Sequence, residues 1–134
     1  MTKALLDTNI ISAFMKGNSA AMDSVSQYVK RHKHISLSII TYYELLRGLK
    51  AIGSDKKIAA FQAFMAQCEI IPLTQPTIET AAEIYAALKN QGMLIEDADI
   101  LIAATAINNG MSLVTDNIEH FRRVHDIKIH NWLA

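Results

Sequence analysis

A chain of 134 residues, 51% of them hydrophobic, with five glycines and two prolines, is long enough for one domain with a proper core and too short for two. Thirteen basic and 13 acidic residues cancel to a net charge of zero, so the sequence does not advertise a broad nucleic-acid-binding surface, and any polyanion contact must be local. The single cysteine, Cys68, excludes an internal disulfide framework and a multi-cysteine zinc site; no apolar run approaches the ~18 residues of a membrane span, and the start MTKALLDTN turns polar after two leucines, unlike a signal peptide, so a soluble, cytoplasmic protein is expected.

Residues 3–6 read as a short strand, followed by a helix over 8–16 that stops at Gly17 and Asn18. A second helix over 19–32 ends in the basic cluster Lys30, Arg31, His32, Lys33 and His34, just before a strand at 35–37. A cluster that precedes a strand lies at the sheet edge opposite the ligand-binding one, so it reads as a solvated turn. Next come a helix over 39–51 halted at Gly53 and another over 55–68, where Cys68 continues the apolar pattern of Ile58, Phe61 and Met65 as a buried structural thiol. A third strand over 69–73 ends in the turn residues Thr74, Gln75 and Pro76, and Ile78, Ala81, Ala82, Tyr85 and Leu88 keep helical spacing over 77–91. After Gly92 a helix begins near Asp97 and stops at Gly110; a strand at 112–114, a short helix around 118–123 and a last strand at 127–129 complete the chain.

Strands alternating with helices long enough to cross over predict a parallel sheet of four to five strands covered on both faces. In such a fold the loops after the strands share one edge, where ligands bind. Asp7 follows the first strand, Glu44 lies in the helix after the second, Asp116 and Asn117 follow the fourth, and Asp99 sits early in a helix whose start faces the same edge. Asp99 is the most informative of these. It precedes Ile102, Ala103 and Ala106 by three, four and seven residues, on the helical face that packs into the core. A lone carboxylate there costs several kcal/mol unless a cation, a proton or a set of donors meets it.

Each of the others has a structural reading of its own. Asp7 suits the N-cap of the first helix, Asp97 the N-cap of the helix that carries Asp99, and Asp116 or Asn117 a turn or cap. Glu44 either pairs with Arg47 one turn along or approaches the rim. Together, carboxylates converging at one edge would repel one another unless a cation sat among them. Oxygen donors without paired His or Cys favour Mg²⁺, with Mn²⁺ as a substitute, over zinc. His32, His34, His120, His125 and His130 form no ligand pair and read as surface or half-buried structural residues.

The segments LLDTNIIS (5–12), ISLSIITYYELLRG (35–48), IEDADILIAATA (95–106) and GMSLVTDNIEHF (110–121) resemble the four signature segments of PIN domains, and most closely the VapC-type ribonuclease toxins of bacterial toxin–antitoxin pairs, whose final strand and Trp resemble IKIHNWLA. The resemblance spans nearly the whole chain, in order and spacing. It implies a three-layer α/β/α sandwich in a single domain over 1–134 and a metal-dependent endoribonuclease. By position, the family's first three acids fall on Asp7, Glu44 and Asp99. The fourth falls on Asn117, where an amide replaces the acid beside Asp116, which leaves a second metal site open; Asp97 and Glu96 are extra carboxylates nearby.

The roles then implied are Asp7 and Asp99 as direct Mg²⁺ ligands, Glu44 as a direct or water-mediated one, and Asn117 orienting a water. Glu44 or Asp97 would take the attacking water's proton. Thr8 and Asn9 would steady the loop of Asp7, Thr115 would do so at the fourth strand, and Arg47 and Lys50 would touch RNA phosphate or form a plain solvated face. Tyr42, Tyr43, Phe61, Phe64 and Met65 read as extra core, or as a groove for an antitoxin segment and a homodimer face, which the resemblance supports; a bound antitoxin would place an Arg or another plug near the carboxylates. The alternative function is a weakly active or inactive PIN-like interaction module. Receiver-domain and haloacid-dehalogenase-like phosphatase readings are disfavoured, because Asp7 is followed by Thr8 and Asn9 rather than by further acids, and the Lys a receiver needs after its last strand is missing.

Overall fold

The computed structural model describes residues 2–133; positions 1 and 134 of the expected domain lie outside the described residues. Its elements run β1 (Ala4–Leu6), α1 (Thr8–Met15), α2 (Ser19–His32), β2 (Ser36–Ser38), α3 (Ile39–Ile52), α4 (Asp55–Met65), β3 (Glu69–Ile71), α5 (Gln75–Asn90), α6 (Asp97–Asn108), β4 (Ser112–Val114), α7 (Ile118–Phe121) and β5 (Ile129–His130). The five strands form one sheet in the order β3-β2-β1-β4-β5, with every pairing parallel. The expected α/β/α sandwich is therefore present, with five strands.

The pleat explains the three layers. Ala4 and Leu6 point into one core with Leu37, Val114, Ile10, Val25, Tyr28 and Phe61, while Leu5 and Leu113 point into the other with Ile102, Ala103, Ala106 and Phe121. Helices α1 to α4 cover the first face and α5 to α7 the second, because the chain first steps from β1 outward through β2 to β3 and then returns across β1 to lay down β4. Right-handed crossovers in opposite directions put their helices on opposite faces. The reversal leaves a crevice between the carboxyl ends of β1 and β4, the place where open α/β sheets bind ligands.

Several boundaries differ from the expected ones for local reasons. β3 stops at Ile71 because Pro72 has no N–H to continue the ladder. α5 begins at Gln75, since the Thr74 side chain accepts from Thr77 N and Pro76 occupies the first turn, where a missing donor costs nothing. α4 ends at Met65, so Cys68 lies in the following turn, half-buried, its Sγ 3.4 Å from Phe64 O. The last strand is Ile129–His130 rather than 127–129. Asp97 is corrected from N-cap to first helical residue of α6: Glu96 holds the cap position, without a side-chain cap bond. Phe61 and Met65 are buried and Tyr42 and Phe64 pack against the same core, whereas Tyr43 is exposed.

Candidate active site at the β1–β4 crevice

Asp7 leaves β1 with its N–H donated to Val114 O at 2.8 Å, which fixes it at the mouth of the crevice. It is both cap and candidate ligand. Its backbone carbonyl receives the first helical bonds of α1, from Ile10 N and Ile11 N, while its side chain turns to Thr8 N, which donates to Oδ1 at 2.8 Å, and to Thr115 Oγ1, which donates to Oδ2 at 2.8 Å. Only 4% of Asp7 is exposed. Burial pushes its carboxyl up to about 6; the bonds from Thr115 and Thr8 pull against that rise, and the charges of Asp99 and Glu44 add to it.

Thr8 ties the second acid to the first. Its hydroxyl donates to Glu44 Oε1 at 2.6 Å and lies 3.1 Å from Thr41 Oγ1, so Glu44 is drawn from α3 toward the crevice. The contact with Arg47 is long, 3.9 Å from Arg47 Nη2 to Glu44 Oε2, and Arg47 instead lies over the Tyr43 ring at 5.1 Å. Of the two readings of Glu44, the approach to the rim is therefore the one that the hydrogen bonding carries.

Asp99, whose side chain is 17% exposed, reaches His120 of α7, with 3.1 Å between Oδ2 and Nδ1. The same ring nitrogen is 2.9 Å from Asn117 Nδ2, and Asn117 N donates to Thr115 Oγ1 at 3.0 Å. A single arc thus runs Glu44, Thr8, Asp7, Thr115, Asn117, His120, Asp99, joining all three acids through hydroxyl, amide and imidazole side chains and backbone donors. His120 is the residue that sequence reasoning missed; its signal was the i, i+3 spacing from Asn117 in the short helix after β4.

The remaining expected residues stand further out. Asn9 Nδ2 donates to the exposed Asp116 at 3.3 Å, bridging the start of α1 and the loop after β4 at the surface. Asp97 and Glu96 are exposed at the start of α6, and Lys50 is exposed on α3. The basic turn at 30–34 lies at the opposite end of the sheet, where Lys3 and Glu69 pair at 2.7 Å.

Among the described residues, no three Asp, Glu, His or Cys side chains lie close enough to enclose a metal ion as they stand. The donor set does suit a hard divalent ion that keeps several of its waters. The three acids supply oxygen only, the charges of Asp99 and Glu44 both bear on Asp7, and Asp99 Oδ1 accepts no hydrogen bond among the described residues. Beside Glu44 opens a groove of about 520 Å³ between α1, α3 and α4, lined by Met15, Leu45, Leu49 and Ile52 together with Lys16 and Lys57.

The PIN-domain profile matches residues 4–127. The chain belongs to the PIN-domain family. Over 134 residues this PIN domain is 31% identical to Ribonuclease VapC2 of Haemophilus influenzae, spanning 99% of the chain and 100% of that protein. It is 28% identical to the tRNA(fMet)-specific endonuclease VapC of Salmonella typhimurium, spanning 98% and 99%. The fold matches VapBC2 from Rickettsia felis, solved bound to a DNA fragment from its promoter, with TM-score 0.86, 27% identity and coverage of 96% and 98%. PIN-domain nucleases of the VapC kind are metal-dependent. Among the described residues, no helix of this PIN domain is long and apolar enough to cross a membrane.

Proposed function

We propose that the chain is a metal-dependent endoribonuclease and the toxin of a toxin–antitoxin pair. The observation that carries this reading is the arc of hydrogen bonds that delivers Asp7, Glu44 and Asp99 to the switch point of a PIN fold. Asp7 and Asp99 would hold Mg²⁺, or Mn²⁺ in its place, and Glu44 would do so directly or through water. The ion supplies Lewis-acid activation of water and neutralises charge on the phosphoryl oxygens.

The protein's own contribution is placement. Thr8 and Thr115 hold both oxygens of Asp7 in one orientation, so the carboxylate does not reorganise as charge develops. Thr8 also occupies Glu44 Oε1, leaving Oε2 to accept the proton of the attacking water as its oxygen bonds to phosphorus and the P–O bond of the leaving nucleotide breaks. This favours Glu44 over the exposed Asp97 as proton acceptor. Asn117 would orient water on the far side of the site, and Arg47, 3.9 Å from Glu44, would offer a cation for a phosphate of the RNA.

The groove beside Glu44, apolar with lysines in its lining, fits an amphipathic antitoxin segment that ends against the carboxylates. A homodimer is the assembly proposed, with exposed Ile39 and Tyr43 on α3 and Ile78 and Tyr85 on α5 available to it. The amide at Asn117 favours one second reading, an interaction module that keeps the fold without catalysis.

Expression of wild type and Asp99→Asn in a bacterial host, following growth and RNA integrity, tests the assignment. Arrest with discrete RNA fragments is expected from wild type alone. Equal toxicity from both would remove Asp99 as a ligand. A folded wild type that neither binds Mn²⁺ by calorimetry nor cleaves RNA would establish the interaction module instead.

A further inference from the structure

We propose that His120 is a positioning residue of this site: its Nδ1–H holds the Asp99 carboxylate toward the crevice, on the side where Asn117 stands. The inference rests on the metal-dependent nuclease reading and goes beyond the acids that reading assigns.

The ring nitrogen decides the polarity of the contacts. Nδ1 lies 3.1 Å from Asp99 Oδ2 and 2.9 Å from the Asn117 amide, and it carries either a hydrogen or a lone pair, never both. A carboxylate only accepts, and its charge makes this the stronger of the two contacts, so Nδ1 carries the hydrogen. The Asn117 amide then presents its oxygen to the ring by a half-turn that leaves its shape unchanged, and its NH₂ is free to donate toward the site. An acid at position 117 would set a second carboxylate against the same nitrogen and compete with Asp99 for its hydrogen. The amide and the imidazole therefore work as a pair.

Asp99 needs such a partner because of where it sits. It is the third residue of α6, and Glu96 at the cap position makes no side-chain cap bond. An acid at the third helical position ordinarily reaches back to the backbone N–H of the cap residue. That conformation would turn the carboxylate onto its own helix and away from Asp7. The bond from His120 selects the other rotamer.

His120 is itself firmly placed. Its neighbour Phe121 is fully buried in the core shared with Ile102 and Ala103 of α6. Two residues further, Arg123 Nη1 reaches the carbonyls of Met93 and Leu94 at 3.4 and 3.2 Å, in the segment leading into α6. The backbone around His120 is thus fastened to α6 from within the core and from the surface. Partner groups of this kind, one bond removed from a metal, orient its ligands.

Mn²⁺ titration by calorimetry of the full-length protein, without RNA, tests the inference on wild type, His120→Ala, His120→Asn and His120→Gln, with melting in EDTA recorded for each. His120→Ala is expected to weaken Mn²⁺ binding about 10- to 100-fold; Asn, whose amide N–H falls near Nδ1, restores most of the affinity, and Gln, whose amide falls near Nε2, does not. A merely structural His would lower the melting temperature and show no preference for Asn over Gln. Ring ¹⁵N shifts of His120 in the metal-free protein should report the Nδ1–H tautomer.

Wild-type affinity in His120→Ala, equal affinities for Asn and Gln, or the Nε2–H tautomer would each overturn the proposal while leaving the nuclease reading intact. If His120→Ala fails to fold, the Asn and Gln comparison still decides. A wild type that binds no Mn²⁺ overturns both readings together.

Discussion

Replacement of Asp7 by Asn should make the metal-free protein more stable and inactive at once. Asp7 is buried to 4% exposure, and its carboxyl is pushed from 3.8 up to about 6, first by burial. Because the folded state binds the proton more tightly than the unfolded one, wild-type stability from this group is full below pH 3.8 and is lost as the pH rises through about 6. The interval between the two values is worth about 3 kcal/mol above pH 7. Asn keeps an oxygen for Thr8 N but meets the Thr115 hydroxyl with an N–H, so about 1 kcal/mol of hydrogen bonding is set against that gain. The net expectation is a gain of about 2 kcal/mol at pH 8, shrinking to nothing or a small loss at pH 4. Urea unfolding of both proteins in EDTA, from pH 4 to 8, measures it by linear extrapolation. No gain at pH 8, or a gain of the same size at every pH, would refute the account of Asp7 as a buried charge. Saturating Mn²⁺ should reverse the order, since a ligand that binds only the folded wild type stabilises it by mass action.

Thr8→Val keeps the shape of the side chain and removes the donor to Glu44. RNA cleavage should fall about 10- to 100-fold while stability changes by about 1 kcal/mol, and undiminished cleavage would detach Thr8 from the site. Phe121→Ala empties a fully buried position beneath α7 and should cost about 3–5 kcal/mol in urea unfolding; a change below about 1 kcal/mol would show that α7 does not depend on that anchor. Burial pushes the Cys68 thiol up to about 11, so it should react slowly with a disulfide reagent at pH 7.5 until urea is added, and rapid labelling of the native protein would contradict that.

The sequence by itself determined the elements and their order, because periodicity, caps and breakers are local. Gly53 at φ 79° ends α3 where it was expected, and β4 occupies 112–114 as read. It also marked Asp99 as a candidate, since an acid on an apolar helical face is conspicuous without any coordinates, and Asp7 and Glu44 by their places after the first two strands. The cap of α6 was less legible: whether Glu96 or Asp97 holds it depends on a backbone angle that neighbouring residue types do not set. Only the tertiary structure decided the order β3-β2-β1-β4-β5, and with it which loops face each other across the crevice. It alone brought Thr115 to Asp7 across 108 residues and His120 to Asp99 across 21. Such pairings have no local signature, because each follows from packing two helical layers on opposite faces of a sheet whose chain reverses direction.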